Sequence, residues 1–149
     1  VAIGGINQSN AADCIHHGAD GVAVVSAICG AEDPKAAAAA ISKLGCRYVL
    51  IKGGHFDGEE KIDYLFEGGK QKTSYRGISV NTRNTHGTGC TLSSAITSYL
   101  AREMDMNTAI AMAKTYLSGA ILAGKDIKIG EGHGPVNHFY EPKSLFTKS

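Results

Sequence analysis

Apolar residues fall into short continuous runs closed by glycines over the first third of this chain, and into helical spacing over the last third. Val1-Ala2-Ile3, closed by Gly4-Gly5, predicts a buried strand. Asn7 or Ser9 is placed to cap the helix that follows, which ends at Gly18 after His16-His17. Gly21-Val22-Ala23-Val24-Val25-Ser26 predicts a second strand, of the kind buried on both faces in a parallel sheet. Asp33-Pro34 is a helix start, and Ala36 to Ala40 carry that helix to Gly45. Tyr48-Val49-Leu50-Ile51 predicts a third strand, closed by Lys52-Gly53-Gly54-His55. This βαβαβ rhythm implies three parallel strands with right-handed crossovers. Their carboxyl ends carry Gly4-Gly5, Ser26 and Gly53-Gly54, the edge where open α/β sheets bind ligands.

The pattern then changes. Ile62 to Phe66 and Gln71 to Ile78 read as two strands joined through Gly68-Gly69, an antiparallel hairpin. Beyond it, Leu92, Ala95, Ile96, Tyr99, Leu100 and Met104 keep helical spacing. Asp105 or Asn107 starts a further helix running to about Gly124. Apolar residues lie on more than one of its faces, Ile110, Ala113, Leu117 and Ile121 but also Met112 and Tyr116, so it is expected to be well buried. Gly130-Glu131-Gly132-His133-Gly134-Pro135 is a loop. The fold expected is a single three-layer α/β domain over residues 1–149, its mixed sheet built from a parallel βαβαβ core and an antiparallel hairpin.

Composition narrows the function classes. At 149 residues the chain can bury roughly 70% of its unfolded surface. With 43% hydrophobic and 19% charged residues it is an ordinary globular sequence, and a formal charge of +1 gives no electrostatic reason to bind nucleic acid or an anionic membrane. Lys114 and Lys125 interrupt the longest apolar stretch, so no membrane span is expected. Cys14, Cys29, Cys46 and Cys90 form no C-x-x-C pair, which fits thiols in a reducing cytoplasm. The chain opens at Val1, inside a strand pattern and without Met, which suggests an excised or engineered piece.

The chemistry centres on Asn84-Thr85-His86-Gly87-Thr88-Gly89-Cys90. A glycine turn feeding a helix gathers free N–H groups and the positive end of the helix dipole at one point. Such a point binds phosphate without a basic side chain. Gly87, Thr88 and Gly89 are the candidate anion-binding residues. Cys90 falls in the first turn, where the same field favours a thiolate. The plainer alternative makes Gly-x-Gly a simple loop and Cys90 a small buried hydrophobe. Lys52, at a strand end beside two glycines, either reaches a phosphate or is a solvated loop lysine. His16-His17 fits a helix end. His133 and His138 flank a loop without Cys or carboxylate at ligand spacing, so no metal site is expected. A helix N-terminus contributes about 0.3–2 kcal/mol, whereas millimolar affinity needs about 4 kcal/mol. Weak binding of a small-molecule phosphate or nucleotide is the expectation.

These seven residues resemble the anion-hole signature of ribokinase-like kinases, in the version carried by hydroxymethylpyrimidine/phosphomethylpyrimidine kinases of thiamin synthesis; most relatives place an aspartate where Cys90 stands. The resemblance runs from about Ala38 to the end. It includes Val49-Leu50-Ile51-Lys52-Gly53-Gly54-His55, the hairpin, Ala113-Lys114-Thr115-Tyr116 and the closing Gly130-x-Gly132-His133-Gly134-Pro135-Val136-Asn137-His138-Phe139. It implies a ribokinase-like half-domain using ATP and Mg²⁺. The amides of Gly87, Thr88, Gly89 and Cys90 would then hold the phosphoryl group, and Cys90 would take the proton of the substrate hydroxymethyl.

Residues 1–37 instead resemble the last two βα units of thiamin-phosphate synthase, a TIM barrel, whose loops form a phosphate cup. Carried over, that cup would be Gly4, Gly5, Val25 and Ser26. Residues 1–37 are thus a barrel-like segment and 38–149 a kinase-like one, a chimera or fragment. The kinase's pyrimidine-binding N-terminal half has no counterpart here, and no Asn is followed three residues later by Glu, the signature that organises Mg²⁺ in the superfamily. Weak or no turnover is therefore expected of this chain alone. The alternatives are a recombined scaffold that keeps only an anion site, or thiamin-phosphate synthase activity. An uncovered sheet edge would favour a homo-oligomer.

Overall fold

A computed structural model describes residues 2–3, 6, 9–18, 21–24, 33–53 and 60–142. The chain divides into two compact units, Val1–Ser79 and Val80–Ser149. Among the described residues of the first unit, five strands form one sheet in sequence order: β1 (Ala2–Ile3), β2 (Gly21–Val24), β3 (Tyr48–Ile51), β4 (Glu60–Glu67) and β5 (Lys70–Ile78). β1, β2 and β3 run parallel, with Val22 opposite Ala2 and Val49. β4 returns antiparallel to β3 and β5 antiparallel to β4, the mixed sheet that the pattern predicts.

Two helices fill the crossovers, α1 (Ala11–His16) and α2 (Pro34–Ser42). Asp33 accepts a hydrogen bond from the Ala36 amide through its side chain, as the Asp-Pro start implies. α1 departs from expectation. Asn10 occupies its N-cap without a side-chain cap bond, so Ser9 is not the cap, and Asn7 lies outside the described residues. The helices pack Ala11, Ala37 and Ile41 on Val49, Ile51 and Phe66 of one sheet face, with Cys46 beside them. Leu50 and Leu65, register partners, are buried on the opposite face, which is why β3 reads as a continuous apolar run.

The second unit holds α3 (Thr88–Ala101) and α4 (Met106–Gly124), which pack against each other. Leu92 and Ile96 of α3, with Ala109, Ile110, Ala113, Leu117 and Ala120 of α4, are buried at i, i+3, i+4 spacing. Met104 lies beyond the end of α3. Asp105, rather than Asn107, caps α4, accepting from the amides of Asn107 and Thr108 and from the Thr108 hydroxyl. Three donors on one carboxylate hold its pKa below the ordinary value. α4 is less buried than its composition implies: Met112 and Leu122 are exposed. Residues 125–142 return along the two helices without regular structure.

Candidate functional site

α3 begins at Thr88, so Cys90 is its third residue and lies in the first turn, as expected. Gly87 holds the N-cap position at φ 81°, the left-handed region where a side chain is strained. Its carbonyl accepts the Thr91 amide at 2.8 Å, closing the first helical turn. The Thr88 amide makes a long bond, 3.4 Å, back to the Thr85 carbonyl. Among the described residues, the amides of Gly89 and Cys90 meet no backbone carbonyl. Beyond its chain neighbours and its own helix backbone, a Cβ built on Gly87 or Gly89 would meet no atom of the described residues within 4 Å. Cys90 is exposed, which sets aside its reading as a small buried hydrophobe. Open donors beneath open space, at the positive end of a 14-residue helix, are what an anion needs.

The turn is anchored on both sides. Asn84, 7% exposed, donates from its side-chain amide to the carbonyls of Gly124 and Ile127, each at 2.6 Å. Thr82 donates to the Lys125 carbonyl, and the Arg83 guanidinium to the Glu131 carbonyl. His86 donates its backbone N–H to the Gly134 carbonyl at 3.1 Å and pairs in a bridge with Pro135. Gly134 lies so close to Asn84 that a Cβ there would fall 2.2 Å from the amide oxygen. These contacts fix the entry to the helix where the sequence shows only a polar run.

Beside the turn, a cavity of about 550 Å³ follows one flank of α3, bounded by Cys90, Ser94, Ser98, Tyr99, Tyr116 and His138. Gly87, Thr88, Gly89 and Cys90 therefore come together in the second unit. Lys52 belongs to the first, half-buried directly after β3. The second phosphate cup, Gly4, Gly5, Val25 and Ser26, lies outside the described residues. Three other histidines have hydrogen-bond partners: His17 meets the Asp13 carbonyl, His133 the Arg83 carbonyl, and His138 the Thr91 hydroxyl. Among the described residues no three His, Cys, Asp or Glu side chains are grouped to hold a metal, and no helix is long and apolar enough to cross a membrane.

A family model described as phosphomethylpyrimidine kinase matches residues 21–137. The chain belongs to that family. Its first residues, 1–28, also match the thiamine monophosphate synthase model. A hydroxymethylpyrimidine/phosphomethylpyrimidine kinase of Rhizobium meliloti is 46% identical over 103 residues, 69% of this chain and 38% of the relative. A thiamine biosynthesis bifunctional protein of Geobacter sulfurreducens is 44% identical over 109 residues, 72% of this chain and 21% of that protein. The chain thus spans under two fifths of the length of these two relatives. Its fold is ribokinase-like: pyridoxal kinase of Bacillus subtilis, solved as an ADP complex, superposes with a TM-score of 0.73 at 27% identity, over 88% of this chain and 52% of that one.

Within the family frame, sequence reasoning found the turn but missed its supports. Asn84 and Gly134 were legible only as loop residues, because their partners lie 40 and 50 positions apart in the chain. His138, seen in the sequence only as flanking a loop, pairs with Thr91. A glycine and an asparagine in two loops, each free of helix or strand pattern, carry no sequence mark of meeting one another.

Proposed function

We propose that this chain is the phosphate-binding portion of a hydroxymethylpyrimidine/phosphomethylpyrimidine kinase, in which the head of α3 receives the phosphoryl group of ATP or of a phosphorylated pyrimidine. What supports this reading is the pair of unpartnered amides at Gly89 and Cys90 beneath open space, in a chain of this family. Gly87 and Thr88 shape the turn, and Lys52 is a separate candidate phosphate contact within the first unit. Cys90 takes the proton from the substrate hydroxyl as phosphoryl transfer proceeds. Such transfer is mostly positioning and charge stabilisation, so a turn alone is necessary and insufficient.

ATP fits the donor set at the turn through its phosphates. Mg²⁺ would arrive on those phosphates, since among the described residues no three His, Cys, Asp or Glu side chains are grouped to hold it. The partners proposed are small-molecule phosphates or nucleotides, in a cytoplasmic setting, with self-association of the chain as part of the reading. Turnover by this chain alone is expected to be at or near background. A second reading, a recombined scaffold retaining only the anion site, is favoured by the match of residues 1–28 to a different enzyme family. A coupled assay with ATP and the pyrimidine alcohol looks for the weak turnover that only the kinase reading allows. Turnover that disappears in Cys90→Ala establishes catalysis; background rates with millimolar phosphate binding by calorimetry support the scaffold reading. Absence of both phosphate and ATP binding overturns the shared site.

A further inference from the structure

The residues on either side of the four-residue turn, His86 and Thr91, are both held by one short stretch of chain. The His86 amide donates to the Gly134 carbonyl at 3.1 Å. Thr91, 9% exposed and the first residue past the turn, places its hydroxyl 3.0 Å from Nε2 of His138. Four residues therefore separate the two tethers on the turn, and three separate their partners on the tail.

The backbone of His138 is fixed apart from its ring. Tyr116 of α4 donates its hydroxyl to the His138 carbonyl at 3.0 Å, and the neighbouring Asn137 amide donates to the Ala120 carbonyl at 2.9 Å. The ring therefore reaches from an anchored segment to the first turn of α3. Either imidazole tautomer can make this contact, because a threonine hydroxyl both donates and accepts.

We propose that His138 is a positioning residue for the anion turn: acting through Thr91, it holds the first turn of α3 so that the amides of Gly89 and Cys90 converge on one point. This rests on the reading of that turn as an anion site. A Gly-Thr-Gly turn has wide backbone freedom, whereas an anion is bound well only by donors already aimed at it. The two tethers remove that freedom at both ends. The tether at His86 is backbone and persists in any side-chain variant. The tether at Thr91 depends on one ring nitrogen and one hydroxyl, and can be switched off separately.

The test compares the unaltered chain with His138→Ala, His138→Gln, Thr91→Val and the double variant His138→Ala/Thr91→Val. Two quantities are read: inorganic phosphate affinity, and hydrogen exchange of the Thr91 amide, which is bonded to the Gly87 carbonyl, without phosphate. Loss of one hydrogen bond corresponds to about a fivefold change. His138→Ala and Thr91→Val should each weaken phosphate binding by about that factor and speed Thr91 exchange. The double variant should be no worse than either single one, since both remove the same contact. His138→Gln carries an amide to the position of Nε2 and should restore both quantities; a role in tail packing alone would not be rescued this way. If the unaltered chain binds phosphate and His138→Ala binds it equally well with unchanged exchange, the positioning role is overturned and the anion site stands. Failure of His138→Gln to restore either quantity overturns it as well. If the unaltered chain binds no phosphate, the site reading fails and this proposal falls with it.

Discussion

Gly87 and Gly134 are both glycines for physical reasons, and the reasons differ. Gly87 needs a positive φ of 81° with free space around it, so its constraint is conformational. Gly87→Ala should destabilise the second unit by about 1 kcal/mol and weaken phosphate binding, read by urea unfolding and calorimetry. Gly134 needs closeness: a Cβ there would sit 2.2 Å from the Asn84 amide oxygen, displacing the side chain that bonds Gly124 and Ile127. Gly134→Ala should cost about 3 kcal/mol. Gly132→Ala, whose new Cβ would meet nothing within 4 Å, should stay within about 0.5 kcal/mol. A Gly134→Ala variant as stable as Gly132→Ala would contradict the close approach.

At the scale of elements, the hairpin and the helix caps carry the charge chemistry. Arg47, at the entrance to β3, and Lys72 of β5 both reach Glu67 at the end of β4. Hydrogen bonds from Lys72, Tyr48 and Arg47 hold the Glu67 carboxyl at about 2, against an ordinary 4.5. A carboxylate lowered in the folded state contributes stability that is complete above its unfolded value and is lost as pH falls through the folded one. The contribution of Glu67 therefore fades between about pH 4.5 and pH 2. Exposure of Arg47 and Lys72 keeps it small and sensitive to salt. Glu67→Gln should lower Tm slightly at pH 7, the difference vanishing as pH falls from about 4.5 to about 2, so that the acid limb is flatter; an unaltered acid limb would contradict the pairing. Most elements were legible in the sequence because each obeys a local rule: β3 by its apolar run, the hairpin by Gly68-Gly69, α2 by Asp33-Pro34. The start of α3 was less so, since Thr88 and Gly89 are poor helix formers drawn into the helix by the Gly87 turn. The exposure of Met112 and Leu122 was not legible at all, because periodicity marks apolar residues and not what covers them.

At the scale of the whole molecule, two compact units share one family model that spans both, over residues 21–137. Reading residues 1–149 as a single domain predicts one cooperative thermal transition by both near-UV and far-UV circular dichroism. Two separate transitions, one matching each unit, would contradict it. The candidate site was legible as far as local sequence carries: Gly87, Thr88, Gly89 and Cys90 mark a glycine turn at the head of a helix by their order alone. What holds the turn open, Asn84 against Gly134 and Thr91 against His138, depends on contacts between distant segments. The account turns on whether those amides receive an anion. The direct measurement is a titration of the ¹⁵N-labelled chain with inorganic phosphate, following the amide resonances of Gly87, Gly89 and Cys90. Saturable shifts at millimolar phosphate, concentrated on Gly89 and Cys90, are the result expected. Resonances that do not move, or that move no more than those of the exposed Lys128–Gly130 loop, would contradict it.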